Sequence, residues 1–265
     1  MTVFTFTLQL LEPLMVTGLE GDPNSNVTLD YIPGSVIRGA LISQYLKTKP
    51  ANYSFDPANK AQDEYKLFFN GSVRYLNAYP SMEHHLEKIR TLPTPLSWVV
   101  QKDSKPETDI YDMCCSLLPD EQTKPLSKHF FYQQGKLVWT TKPEHQLTIH
   151  TQRERRHGRS TESDGAVFRY ESLEAYSQFI GVILVEDDSL TTSIEELLKN
   201  KELNLGGSRT AGYGRVNVID WKEKQDWKEA GEVNDIEEDS TFTITLLSNA
   251  LVRNDEGQYQ LDLPI

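Results

Sequence analysis

The chain has 265 residues, 38% of them hydrophobic and 10% aromatic, and a formal net charge of −12. That length allows one large domain or two modest ones, and no apolar run approaches the roughly 18 residues that span a bilayer. The acidity excludes a general nucleic-acid binder, because phosphate contacts need positive charge; only a chain with local basic loops, selective for one defined RNA, stays compatible with it.

The N-terminal MTVFTFTLQL lacks a basic n-region and alternates apolar with polar residues. It reads as a strand and not as a signal peptide, so the cytoplasm is the expected location. Phe4, Phe6, Leu8 and Leu10 form the apolar face of a strand over residues 3–11. A loop rich in Gly, Asp, Asn and Pro follows from 12 to 30. Ser35 is the expected N-cap of a helix over 35–47, with Ile37, Ala40, Leu41 and Tyr45 on one face.

Residues 48–145 read as a long insertion, with strand-like runs at 73–79, 96–100 and 137–140 between prolines and glycines. Inside it Cys114 and Cys115 are adjacent, with no CxxC pair and no His/Cys ligand spacing beside them. Reduced, partly buried thiols are expected there, with neither disulfide nor zinc. Strand-like segments at 146–151 and 166–170 flank a basic tip that carries four arginines and one glutamate within 149–160. A strongly apolar strand is predicted at 178–186. Ser193 and Glu196 have the spacing of a capping box that opens a short helix to about 200.

The segment LNLGGSRTAGYGRV (203–216) comes next, expected to join that helix directly to a strand at 215–221. Gly206, Gly207, Gly212 and Gly214 free the backbone to approach an anion. Arg209 and Arg215 add charge-assisted phosphate contacts, and Tyr213 offers a ring to a base. The segment matches neither the P-loop nor the dinucleotide fingerprint, and taken alone it reads first as a turn with two solvated arginines. YIPGSVIRGAL (31–41) is similar: a helix start that attracts phosphate, with Arg38 one turn in, or an ordinary start to a helix.

Strand, helix, strand, strand, helix, strand is the order of the ferredoxin-like (RRM-type) β-α-β-β-α-β unit, an α+β fold. Residues 222–239 hold eight acidic and three basic residues and read as an acidic linker. An alternating strand near 240 resembles the first, so residues 240–265 read as the start of a second unit, vestigial or truncated. This gives a domain over 1–221, a linker, and that second start.

YIPGSVIRGAL and LNLGGSRTAGYGRV together resemble motifs of the CRISPR-associated RAMP superfamily. LFFNGSVRYLNAYP (67–80), RTLPTPLSWVVQK (90–102), residues 149–173 and TITLLSNALVRNDEGQY (243–259) resemble the RAMP subunit of type III-D effector complexes. The resemblance touches most of the chain from about 27 to 259. It implies a non-catalytic subunit that holds crRNA, by its repeat-derived 5′ tag, beside other RAMP backbone subunits and the large subunit, with target RNA as a further partner and no membrane. By position it implies an RNA-binding set of Gly206, Gly207, Ser208, Arg209, Gly212, Tyr213, Gly214 and Arg215, with Ser35 and Arg38 beside it. Arg153, Arg155, Arg156 and Arg159 would form a thumb-like tip.

Cleaving relatives use a His base or an Asp in the loop before the first helix. Asp22 and Asp30 occupy that loop here, Asp30 as a turn residue, and His150 and His157 lie in the tip. The runner-up reading is therefore an endoribonuclease that processes crRNA or cleaves target RNA through Asp22 or His150. A third is an assembly subunit that contacts proteins through aromatics such as Trp221 and Trp227. The adjacent His84 and His85 diverge and have no third ligand, so neither metal nor cofactor is expected.

Overall fold

The alternation of Phe4, Phe6, Leu8 and Leu10 becomes strand β1 (Thr2–Leu10), and all four side chains enter the buried core. This computed structural model describes residues 1–18, 25–60, 62–102, 110–114, 122–126, 129–135, 137–151, 167–199, 201–225, 227, 247, 252–254 and 258–260. They group into two units, Met1–Thr91 with Thr141–Trp227, and Leu92–Thr140 with Lys228–Ile265.

In chain order the first unit opens with β1, β2 (Ser25–Asn26), α1 (Gly34–Lys47), α2 (Asp63–Phe68), β3 (Val73–Tyr75), β4 (Tyr79–His84) and β5 (Glu87–Arg90). The other unit holds β6 (Leu92–Pro93), β7 (Trp98–Gln101), β8 (Ile110–Asp112), β9 (Thr123–Pro125) and β10 (Phe130–Gln134), and β11 (Leu137–Thr141) leads out of it. The first unit resumes with β12 (His145–Thr151), β13 (Val167–Leu173), β14 (Gln178–Val185), α3 (Thr191–Lys199), β15 (Glu202–Asn204) and β16 (Arg215–Lys224). A short hairpin, β17 (Val252–Arg253) with β18 (Tyr259–Gln260), belongs to the second unit.

The main sheet runs β15-β16-β1-β14-β4-β5, with β3 also on β14. The four strands β16-β1-β14-β3, all antiparallel, have the order of a ferredoxin-like sheet, and α1 and α3 supply its crossovers. Both helices bury their apolar stripes on one face: Ile37, Ala40 and Leu41 from α1, and Ile194, Leu197 and Leu198 from α3. Phe6 lies opposite Gly181 in the ladder, where a Cβ would come within 2.5 Å of its ring.

Strand β16 changes phase partway along. Thr7 pairs with Ile219 and Thr5 with Lys222, so one extra residue is accommodated, with Asp220 at φ +52°. This is a β-bulge. It brings Trp221 onto the core with Phe4, ring centroids 6.1 Å apart, and leaves Lys222 and Lys224 on the opposite face.

Two expected helix starts are corrected. Helix α1 begins at Gly34 with Pro33 as its cap residue; no side chain caps it, and the Gly34 amide donates to Asn77 Oδ1 at 2.9 Å. Ser193 lies inside α3, and Asp187 caps the preceding turn by accepting from the Ser189 amide at 3.0 Å. Strand β3 completes the main sheet through Tyr75, paired with Ile183, and the second unit takes up the chain at Leu92.

In the second unit β8-β7-β9 and β11-β10-β6 form small sheets. Trp98 packs on Phe131 with ring centroids 4.6 Å apart, and Tyr132 stacks on Trp139 at 5.8 Å. Cys114 is exposed, not partly buried. Cys115, most of the acidic linker and most of residues 240–265 lie outside the described residues.

Behind α1, the buried Glu64 accepts hydrogen bonds from the hydroxyls of Tyr45, at 2.7 Å, and Tyr53, with the Lys49 ammonium 3.8 Å away. Burial pushes its carboxyl up, but the two tyrosines and Lys49 outweigh it and hold it below the usual range. The bond to Glu64 pushes the Tyr53 hydroxyl up to about 12. A depressed carboxyl contributes stability that is present above its unfolded-state value and lost as pH falls through the folded value. Thermal melts between pH 7 and pH 3 are expected to show this loss in the wild type, and a flatter profile in Glu64→Gln. Urea unfolding of Gly181→Ala is expected to show a loss of about 1–3 kcal/mol, the usual cost of overpacking a filled core.

Candidate nucleic-acid interface

The glycine-rich segment lies between paired strands. β15 pairs with β16 through Leu203 with Val216 and Asn204 with Arg215, so the loop closes a hairpin rather than joining a helix directly to a strand. Gly206 has φ +67°, and a Cβ there would lie 2.1 Å from the Met15 carbonyl oxygen. Gly214 has φ +91°, and its Cβ would lie 2.1 Å from the Leu205 oxygen. Only glycine combines that conformation with such close approach.

Part of the loop's donor capacity is used internally. The Gly207 amide donates to Met15 O at 3.2 Å and the Gly214 amide to Pro13 O at 2.9 Å. Ser208 takes the left-handed conformation without glycine, at φ +54°, and starts a short 3₁₀ turn, Arg209–Ala211, that ends at Gly212. The amides of Gly206 and Ser208 have no partner among the described residues, and the Gly207 position is open, with nothing near its missing Cβ.

The two arginines differ. Arg209 is exposed and has no ion-pair partner among the described residues. Arg215 Nε lies 3.3 Å from Glu12 and 3.9 Å from Glu202, so two carboxylates already offset its charge. Tyr213 also departs from expectation. Only 5% exposed, it presents no free ring face; its hydroxyl lies 3.1 Å from His150 Nε2.

That contact joins two segments that are far apart in sequence. His150 on β12 and Tyr170 on β13 are diagonal neighbours in the ladder, with centroids 4.6 Å apart, and Tyr170 meets Tyr213 edge-on at 6.3 Å. β12 leaves this cluster through Thr151 and β13 returns at Val167. Residues 152–166, with Arg153, Arg155, Arg156, Arg159 and His157, lie outside the described residues, as does Asp22. The β12–β13 ladder is therefore held against the glycine-rich hairpin through His150 and Tyr170.

Ser35 and Arg38 are not joined to this loop by any described contact. Ser35 is exposed on the first turn of α1. Arg38 donates to the Phe68 carbonyl at 3.4 Å and lies 5.9 Å from the Phe69 ring, so it serves the C-terminal end of α2.

A cluster that the sequence did not reveal lies at the other end of β12. His145 has Glu171 2.5 Å from Nδ1 and Asp30 2.7 Å from Nε2. Asp30 thereby ties the loop before α1 to the β12–β13 ladder, which is a larger role than holding its own turn. Beside it, a hydrogen bond with Glu144 raises the Glu174 carboxyl above its usual range. Nothing in the spacing of residues 30, 145 and 171 signals this approach. Among the described residues no group of three or more His, Cys, Asp or Glu is arranged to hold a metal ion, and no helix is long and apolar enough to cross a membrane.

No curated protein matches the chain. Among solved structures, an apo type III-B Cmr-beta structure has a TM-score of 0.45 and 12% identity, covering 82% of this chain and 96% of its own. A type IV-B CRISPR complex gives 0.42 and 11%, covering 88% and 95%. Oligomeric Cmr4 from Pyrococcus furiosus gives 0.37 and 15%, covering 84% and 99%. The family model of the RAMP superfamily matches residues 7–217, a span that contains both the glycine-rich hairpin and the strands that anchor it. This chain belongs to the RAMP superfamily.

Proposed function

We propose that the chain is a non-catalytic RNA-binding subunit of a CRISPR ribonucleoprotein, of the type III-D kind, and that it holds crRNA by its repeat-derived 5′ tag. The observation that carries the reading is the His150–Tyr170–Tyr213 junction. It supports treating the glycine-rich hairpin and the arginine-rich segment 152–166 as one surface in an otherwise acidic chain. Membership of the RAMP superfamily and the motif pair YIPGSVIRGAL and LNLGGSRTAGYGRV support it further. Other RAMP subunits, the large subunit and target RNA are the proposed partners, in the cytoplasm.

Within the hairpin, Arg209 is the side chain available to a phosphate, with the Gly206 and Ser208 amides beside it. Tyr213 acts as a positioning residue that holds the root of the arginine-rich segment. Replacing Arg209 by Ala is expected to weaken binding of single-stranded repeat RNA and to lower the slope of log affinity against log salt by about 0.7, one phosphate contact. Arg215→Ala should change that slope less, because Glu12 and Glu202 already occupy its guanidinium. Filter binding across a salt series measures both, and an unchanged slope for Arg209→Ala would sink the assignment.

The endoribonuclease reading rests on Asp22, which lies outside the described residues, and on His150, whose Nε2 faces Tyr213. Incubating the protein with end-labelled repeat RNA and target RNA is expected to give no cleavage. A product that disappears in His150→Ala would establish the enzyme instead.

A further inference from the structure

A second basic site lies on the face of the main sheet opposite α1 and α3. A groove of about 640 Å³ opens there, lined by Lys88, Arg90, Lys222 and Lys224, with Thr5, Thr7 and Trp227 among its other walls. Among the described residues that line it, Glu87 and Asp220 are the acidic ones, in a chain whose net charge is −12. All of these residues belong to the first unit. We infer that this groove binds the sugar–phosphate backbone of a single-stranded RNA segment, as a track separate from the glycine-rich hairpin.

The bulge at Asp220 creates the site. Without the extra residue, β16 would continue the phase of Val216 and Val218, and residues 222 and 224 would face the helices. With it, Lys222 and Lys224 stand opposite Thr5 and Val3 on the face away from α1 and α3, about 6.7 Å apart along the strand, and both are exposed at its edge although Val3, Thr7 and Val182 beside them are buried. Neither lysine has an ion-pair partner among the described residues, whereas Lys88 lies 3.9 Å from Asp220. Arg90 is a positioning residue: its guanidinium donates to the Asn77 and Ile180 carbonyls at 2.8 and 2.7 Å and stacks over Tyr79. That leaves the ammonium groups of Lys222 and Lys224 for ligand charge, with Lys88 already offset by Asp220, and a half-buried Trp227 at the edge on which a base can stack.

The opposite wall is the β4–β5 hairpin. Its two-residue tip, His85 and Leu86, has φ of +50° and +68°, a turn that Asn-Gly would make without strain. Leu86 nonetheless stands 93% exposed there, at the mouth of the groove. Strain retained at an exposed tip is a feature of ligand-contacting loops. Lysine is depleted at protein–protein interfaces, and exposed lysines interleaved with an aromatic ring suit a polyanion with stackable bases, which a protein surface does not supply.

The test uses fluorescence anisotropy of the purified full chain with a labelled oligouridylate RNA over a salt series. Lys222→Glu with Lys224→Glu is expected to weaken binding at least tenfold and to lower the salt slope by about 1.4, two phosphate contacts on a single strand. Trp227→Ala should cost about tenfold with the slope unchanged. Photocrosslinking should yield an RNA adduct on the peptide containing residues 222–227. Should the charge reversal impair folding, seen as a lowered circular-dichroism melt, Lys222→Ala with Lys224→Ala carries the same slope prediction. Wild-type affinity and slope in the folded variants, with no adduct on that peptide, would overturn the inference and leave the face to a protein contact. Arg209→Ala run in parallel keeps the two sites distinct: loss there alone supports only the hairpin, and loss at the lysines alone supports only the groove.

Discussion

Strand β1 is hydrogen-bonded on both edges, to β14 and to β16, and its even-numbered side chains decide which face of the sheet the helices cover. Because side chains alternate strictly along a strand, a shift of one residue would turn Phe4, Phe6, Leu8 and Leu10 to the other face and leave α1 and α3 without a core. Gly181 reinforces the register, since the Phe6 ring fills the space opposite it. The other faces in the first unit follow from this one strand. The glycine-rich hairpin leaves the sheet at the end of β15 and returns through β16, beside the chain that continues from β1. There Pro13 and Met15 accept its amides.

In the hairpin the glycines act largely on the protein itself. Gly206 and Gly214 let two stretches of backbone approach to a distance that a β-carbon would forbid, and the resulting hydrogen bonds set the loop's shape. A loop so fixed presents Arg209 and the Gly206 and Ser208 amides, which have no partner among the described residues, in one arrangement, and an anion docking on such a loop would lose less entropy than on a mobile one. The junction of His150, Tyr170 and Tyr213 extends the same logic. It uses aromatic packing and one hydrogen bond to hold β12 and β13 beside the hairpin.

Electrostatics separates the cations by their neighbours. Arg38 is taken up by the end of a helix, Arg90 by two carbonyls and a ring, and Arg215 by two glutamates. Arg209, Lys222 and Lys224 have no such partner among the described residues. Their separation, one on a loop and two at the edge of the sheet face away from the helices, is the physical basis for proposing two contacts with RNA.

The periodic parts of the fold were legible in the sequence. The alternation at residues 3–11 and 178–186, the helical spacing of Ile37, Ala40 and Leu41, and the order of elements all carry through, because burial of an apolar face acts over a few residues and leaves a local pattern. Helix starts were less legible: Pro33 and Asp187 bound their helices where Ser35 and Ser193 had the better side-chain chemistry, since the Asn77 side chain met the Gly34 amide from far along the chain. The short strand β15 before the glycine-rich turn has only three residues, too few to show a period, so the hairpin was invisible. The motif pair and the glycines could be found by reading the chain. That Tyr213 is buried, that Arg215 is neutralised, that His145 bridges Asp30 and Glu171, and that a bulge turns Lys222 and Lys224 outward are decisions of the tertiary structure, because each depends on groups brought together from distant parts of the chain.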